Sequence, residues 1–235
     1  MKKAVLFDLY GTLIDILTDE GDVSVYETLS RYLRYHMVDI APWQLKEEYF
    51  GGIKRSLRQS SEAYPEVDVA AVFSDIMQRY GNRSSTEDRI ADVAMLFRSL
   101  TIRRFGVFPG LYDALAALSK NYKLALISDA QWVFAEPEIA MLGLDCFFET
   151  RILSSRLGYK KPDERLFLQA VEQLGVAPAE SVYIGDTPSK DLVGAKRAGM
   201  QCIVFRTACS DFEGYVPDRC FDDYDELEKI IEEME

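Results

Sequence analysis

A chain of 235 residues with 48% apolar content can bury a full hydrophobic core, as one large domain or as one domain carrying an insertion. Its net charge of −12 argues against nucleic acid or an anionic membrane surface as a partner, because phosphate-rich polymers need basic patches; a small anionic substrate can still meet a locally positive pocket. His36 is the only histidine, and no GxSxG, P-loop or GxGxxG pattern is present, so chemistry must run on carboxylates, hydroxyls and lysines.

In chain order, Ala4-Val5-Leu6-Phe7 predicts a buried strand that ends at Asp8. This apolar stretch is too short for a signal peptide or anchor, and no run approaches the ~20 apolar residues of a membrane span. From about 23 to 103 the pattern is wholly helical, with Val25, Leu29, Tyr32 and Leu33, then Val69, Val72, Phe73, Ile76 and Tyr80, then Ile90, Val93, Ala94, Phe97 and Leu100 at helical spacing. Pro42, Pro65 and the stretch Gly81-Asn82-Arg83-Ser84-Ser85 divide it into about four helices.

After Phe108-Pro109-Gly110, apolar strands alternate with amphipathic helices. Helices are expected over 111–119, 133–142, 163–174 and 189–198, and extended segments over 124–127, 150–153, 182–184 and 202–205. The acidic stretch 222–235 carries Leu227, Ile230 and Ile231 at helical spacing and reads as a terminal surface helix. Alternation of this kind implies parallel βαβ units. The expected architecture is α/β: a doubly wound, Rossmann-like parallel sheet formed by 1–16 and 104–235, interrupted by a helical insertion over 17–103. The four cysteines (Cys146, Cys202, Cys209 and Cys220) form no CxxC pair and are expected to be free, mostly buried thiols of a cytoplasmic protein.

Four segments carrying reactive side chains each follow an expected strand: 8–12, Ser128-Asp129, Lys160-Lys161-Pro162, and Gly185-Asp186-Thr187-Pro188-Ser189-Lys190-Asp191. Strand ends of one parallel sheet converge, so these segments can build one pocket. In that order, and with a helical insertion after the first strand, they resemble the haloacid dehalogenase-like hydrolase superfamily, in the subfamily with a helical C1 cap.

The resemblance implies that Asp8 is a carboxylate nucleophile that forms a covalent ester, later hydrolysed by water. It also implies Mg²⁺ held by Asp8, the Tyr10 backbone carbonyl and Asp186, with Asp191 contributing through water or from behind the ligands; oxygen-only ligation suits that ion. Lys161 would neutralise Asp8 and the transferring group. Pro162 favours extended geometry at the preceding residue, so Lys160 and Lys161 should point to opposite sides, and the resemblance, through the Gly158-x-x-Lys161-Pro162 motif, implies Lys161 as the one at the site. Ser128 would donate to a substrate oxygen, Thr12 would support the nucleophile loop, and Tyr10, Gly11 and Asp129 would line the substrate site. The insertion would close over the substrate; its cations Arg31, Arg34, His36, Lys54, Arg55 and Arg58 sit at spacings that usually give a solvated face, so none is singled out.

Tyr10 stands where phosphatases of the superfamily carry an acidic residue that protonates the leaving group. Tyrosine, with a pKa near ~10, is a poor general base at neutral pH. D-x-Y-G-T resembles the 2-haloacid dehalogenases, whereas Gly185-Asp186 resembles the metal-dependent phosphatases. Three functions are therefore expected to compete: Mg²⁺-dependent hydrolysis of a small phosphorylated metabolite, favoured by Asp186; metal-independent dehalogenation of 2-haloacids; and a weakly catalytic binding or regulatory role. The expected partner is a small anionic molecule, for a monomer or homodimer.

Overall fold

β1 (Ala4–Phe7) is completely buried, and everything that positions the site is arranged around it. The computed structural model describes residues 2–81 and 86–234, so 82–85, expected to punctuate the helical insertion, lie outside the described residues. After β1 the chain forms β2 (Ile14–Thr18), then α1 (Val23–Tyr35), α2 (Pro42–Gln59), α3 (Val69–Tyr80) and α4 (Glu87–Thr101), and returns through β3 (Ile102–Val107). It continues as α5 (Leu111–Leu118), β4 (Lys123–Ser128), α6 (Trp132–Met141), β5 (Thr150–Leu153), α7 (Glu164–Leu174), β6 (Ser181–Gly185), α8 (Asp191–Arg197), β7 (Gln201–Phe205), β8 (Arg219–Phe221) and α9 (Leu227–Glu232).

The main sheet has the order β5-β4-β1-β6-β7-β8, and every pairing is parallel. From β1 the chain builds outward on one side through β4 and β5, then crosses to build the other through β6, β7 and β8. This doubly wound order puts the switch point between β1 and β6, where an open α/β sheet leaves a crevice beyond the strand carboxyl ends. Alternate β1 side chains supply the two faces. Val5 and Phe7 pack with Leu115, Phe205 and Tyr224 on one side, and Leu6 packs with Phe167, Ala170 and Leu192 on the other.

The helices α1 to α4 bury a cluster of their own around Tyr26, Tyr49, Phe73 and Phe97, with the Tyr49 and Phe97 rings 4.7 Å apart. Val133 and Phe134 of α6 join that cluster, so the helical layer is seated on the sheet domain directly over the β4 end. A second attachment lies at Pro65 and Tyr159, which form an antiparallel bridge: the Glu66 amide donates to the Gly158 carbonyl and the Lys160 amide to the Tyr64 carbonyl, both at 2.9 Å.

Several elements differ from the sequence reading. The helical pattern stops at Thr101, not Arg103, and Ile102–Val107 pairs antiparallel with Ile14–Thr18 as a two-stranded ribbon across the entry and exit of the helical layer. Ile102 continues the apolar phase of α4, so periodicity alone shows no break there. The three-residue β8 was not expected. The terminal segment is a short helix whose Leu227 and Ile231 are fully buried against the sheet domain, so it is part of the core and not a surface appendage. The cysteine expectation is corrected as well: Cys209 and Cys220 form a disulfide, because the loop between β7 and β8 turns back and brings their Cα atoms to 5.8 Å, within bridging range. Cys146 and Cys202 are free. Among the described residues no helix is long and apolar enough to cross a membrane.

Candidate active site

The loop after β1 is built for close approach. The Asp8 amide donates to the Ile184 carbonyl of β6 at 2.8 Å, which locks the loop to the neighbouring strand end. Gly11 has φ +84°, a region that disfavours side chains, and a Cβ there would lie 2.6 Å from Asp186 Oδ2. Gly185, at the end of β6, leaves similar room for Asp191, whose carboxylate carbon would be 2.3 Å from a Cβ at that position. Two glycines therefore let two carboxylates reach the β1/β6 crevice.

Asp8, Asp186 and Asp191 each offer a carboxylate oxygen within 4.8 Å of the others. Among them sits one ammonium: Lys161 Nζ is 2.8 Å from Asp8 Oδ1 and 2.7 Å from Asp191 Oδ1, and the lysine is 2% exposed. Asp191, the first residue of α8, is fully buried; it also accepts from the Thr187 amide at 2.8 Å and lies 3.0 Å from the Tyr183 hydroxyl. Its negative charge suits a helix N-terminus, but the Lys161 contact gives it a further role. Asp129 Oδ1 accepts from the Lys161 amide at 2.8 Å, and Lys190 Nζ lies 3.2 Å from Asp129 Oδ2. The helix after Lys161 starts at Glu164 with an Asp163 cap, so Pro162 is not its first residue.

Burial pushes the Asp8 carboxyl up, against the pull of Lys161, and Asp191 adds to the push. Burial followed by Asp191 raises Asp186 in the same direction. Burial alone would lower the Lys161 ammonium; the carboxylates of Asp191, Asp8 and Asp129 overcome it, and the net shift is upward. Three carboxylates against one ammonium leave an excess of negative charge, and each close pair costs about 1–4 kcal/mol. Oxygen-only ligands with excess negative charge fit a divalent cation.

The other sequence-derived residues converge on the same point. Asp8, Tyr10, Ser128, Asp129 and Lys161 line one pocket of about 160 Å³ together with Lys190. Thr12 is buried; its hydroxyl lies 3.4 Å from Asp186 Oδ1 and its carbonyl accepts from the Tyr224 hydroxyl at 2.7 Å, so it ties the loop after β1 to the end of β6 and the terminal segment. Thr207 donates to the Asp186 carbonyl at 2.7 Å. The insertion cations are placed elsewhere: Arg34 pairs with Asp39, Arg55 pairs with Glu48, His36 packs against Tyr32 and Tyr35, and Arg31, Lys54 and Arg58 line neither site cavity.

Tyr10 takes an unexpected partner. Its hydroxyl donates to Glu138 Oε2 at 2.5 Å, and Arg98 grips the same carboxylate from α4, with Nε 2.6 Å from Oε1. The guanidinium sits 5.2 Å from the Tyr10 ring centre. Burial, then the Glu138 charge, pushes the Tyr10 hydroxyl above its ordinary value, so it stays a neutral donor. The sequence reading missed Glu138 and Arg98. A signal was present: Glu138 stands four residues after Phe134 and next to Ile139, at the buried phase of α6, where a lone carboxylate needs a partner.

A second cavity of about 330 Å³ adjoins the first. The two share Tyr10, Asp129 and Lys190, and the larger one is closed by Glu20, Glu66 and Arg98 of the helical layer and by Lys160 of the sheet domain.

Comparison with known proteins agrees with this geometry. The chain is 32% identical over 243 residues to a glyceraldehyde 3-phosphate phosphatase of Methanopyrus kandleri, covering 100% of this chain and 99% of that protein. It is 34% identical over 206 residues to a glyceraldehyde 3-phosphate phosphatase of Pyrococcus furiosus, covering 87% and 80%. Its fold is similar to that of a 2-haloacid dehalogenase from Pseudomonas syringae pv. Tomato DC3000, with a TM-score of 0.69 and 24% identity over all of both chains. A HAD phosphatase from Thermococcus onnurineus gives a TM-score of 0.60 at 23% identity over 97% of each chain. At such identities the structural likenesses speak for the fold alone. The family model for haloacid dehalogenase-like hydrolases matches residues 2–199, a span that takes in all four strand-end loops, and the chain belongs to that family.

Proposed function

We propose that this protein is a phosphomonoester hydrolase acting on a small phosphorylated metabolite, with Asp8 as nucleophile and Mg²⁺ as cofactor. The observation that carries the reading is Asp186: a second carboxylate packed against the nucleophile loop and joined by Asp191, where the one lysine pairs with Asp8 and Asp191 and, among the described residues, leaves Asp186 without a cation. A metal-independent site gains nothing from that arrangement. The relatives named as phosphatases support the same reading. In it, residues 17–103 are a cap over a core of 1–16 and 104–235, with the β2–β3 ribbon crossing both boundaries, and a cytoplasmic location accompanies the substrate class.

In the proposed reaction an Asp8 carboxylate oxygen bonds to phosphorus, and the bond from phosphorus to the leaving oxygen breaks with its electron pair going to that oxygen. Water then bonds to phosphorus and releases a proton to solvent, while the bond from phosphorus to Asp8 breaks with its electron pair going to the carboxylate. Mg²⁺, when bound by Asp8, the Tyr10 carbonyl and Asp186, would neutralise the carboxylates and the phosphoryl oxygens. Lys161 holds Asp8 in place and adds positive charge at the transferring group, and Asp191 holds Lys161. Asp129 anchors the Lys161 backbone, and Ser128 at the pocket wall donates to a phosphoryl oxygen. The Tyr10 hydroxyl is engaged with Glu138 and does not supply the leaving-group proton. The leaving oxygen takes its proton from water.

Tyr10 is also the observation behind a second reading, metal-independent dehalogenation. Assays for phosphate and chloride release, each with Mg²⁺ and with EDTA, separate the two. Phosphate release that EDTA abolishes supports the proposal. Chloride release from 2-chloropropionate in EDTA would replace it with the second reading, and no turnover in any assay would leave a binding role.

A further inference from the structure

Lys160 does not line the pocket at Asp8; it lines the 330 Å³ cavity beside it. The Lys161 ammonium pairs with Asp8 while its neighbour in the chain lines the adjoining chamber, so consecutive lysines border the two cavities. The Lys160 amide is pinned to the Tyr64 carbonyl at 2.9 Å in the bridge between the helical layer and the sheet domain, which holds the backbone in place.

The other charged groups of this cavity are answered. Arg98 is engaged by Glu138, and Lys190 faces Asp129 at 3.2 Å. Glu66 accepts from the Ser154 hydroxyl at 2.9 Å and the Val67 amide at 2.8 Å, and Glu20 accepts from the Tyr49 hydroxyl at 3.0 Å. Among the described residues Lys160 alone of the cavity's charged groups, although partly buried, has neither an ion pair nor a side-chain hydrogen bond. An ammonium that no carboxylate of the described residues pairs with, beside a cavity, is open to a ligand anion.

We infer that Lys160 receives a second anionic group of the substrate, a carboxylate on a short phosphorylated acid whose phosphoryl group sits at Asp8; this rests on the phosphatase reading above. The carboxylates of Glu20 and Glu66 enter from the helical layer and confine the anion to the Lys160 side of the chamber. A cavity of about 330 Å³ is at the lower end of the ~300–1,000 Å³ typical of small-molecule sites, which keeps the substrate short.

The test compares 2-phosphoglycolate with ethyl phosphate, which has no carboxylate, and uses p-nitrophenyl phosphate as a reference substrate, all with Mg²⁺. Wild type should show a kcat/KM at least about tenfold higher for phosphoglycolate than for ethyl phosphate, which corresponds to about 1.4 kcal/mol. Lys160→Met should bring that ratio close to one, mainly through KM for phosphoglycolate, and Lys160→Arg should retain most of it. Wild type without the preference, or a ratio unchanged in Lys160→Met, would overturn the inference while p-nitrophenyl phosphate hydrolysis upholds the phosphatase reading. Failure to release phosphate from any of the three would overturn both.

Discussion

Two buried charge clusters stand side by side in this protein, and they are built on opposite principles. Around Asp8, three carboxylates gather, one ammonium pairs with Asp8 and Asp191, and these two line a pocket. Around Tyr10, one carboxylate meets one guanidinium and a phenol, with Arg98 and Glu138 only 12% and 5% exposed at the side chain. The first cluster carries an excess of negative charge, which a cation could answer. The second is closed, and it holds the Tyr10 hydroxyl. Burying charge is common to both; an unfilled electrostatic demand marks the one that binds.

Breaking the first cluster should abolish chemistry and leave the fold. Asp8→Asn is expected to lower phosphate release by about 10⁴-fold or more, with a cooperative unfolding transition retained. The comparison fails if that variant keeps more than a small fraction of wild-type turnover.

Breaking the second should do the reverse. Arg98→Met strands the Glu138 carboxylate in the interior, at a cost of about 3–5 kcal/mol in urea denaturation. Arg98→Met combined with Glu138→Gln should recover a large part of that loss, because no buried charge is then left alone. Equal losses in the single and double variants would show that the pair is not the source.

Adding the missing charge should stabilise only the first cluster. Mg²⁺ at about one hundred times its dissociation constant should raise unfolding stability by about 2.7 kcal/mol in wild type and by much less in Asp186→Asn. No stabilisation of wild type would remove the metal from the account. The smallest effect belongs to Tyr10→Phe, which takes one donor from Glu138 at an expected cost of about 1–3 kcal/mol and changes turnover by less than tenfold. A larger loss of turnover would mean that the phenol takes part in the reaction.

The first cluster was legible in the sequence because each of its members follows an apolar strand of one parallel sheet, and strand order then forces convergence. Asp8 after β1 and Asp186 after β6 are 178 positions apart, yet the topology makes them neighbours. Pro162 likewise allowed Lys160 and Lys161 to be separated by direction. The second cluster was not legible, since the contact between Tyr10 and Glu138 depends on the seating of α4 and α6 against the nucleophile loop, which no local pattern encodes. The ribbon of β2 and β3 was hidden by apolar phase running on from α4. The Cys209–Cys220 bridge arises from a loop conformation that spacing does not specify. The convergence of the motif residues was readable from strand ends, and packing partners were not.

The central claim is that Asp8 carries the phosphoryl group during turnover. The most direct measurement is peptide mapping by mass spectrometry after rapid acid quench of protein mixed with a hydrolysed phosphomonoester and Mg²⁺. The account predicts one added phosphoryl group on the peptide containing Asp8, absent in EDTA and in Asp8→Asn. Steady phosphate release with no adduct at Asp8 under quench conditions that preserve acyl phosphates, or an adduct on another residue, would contradict it.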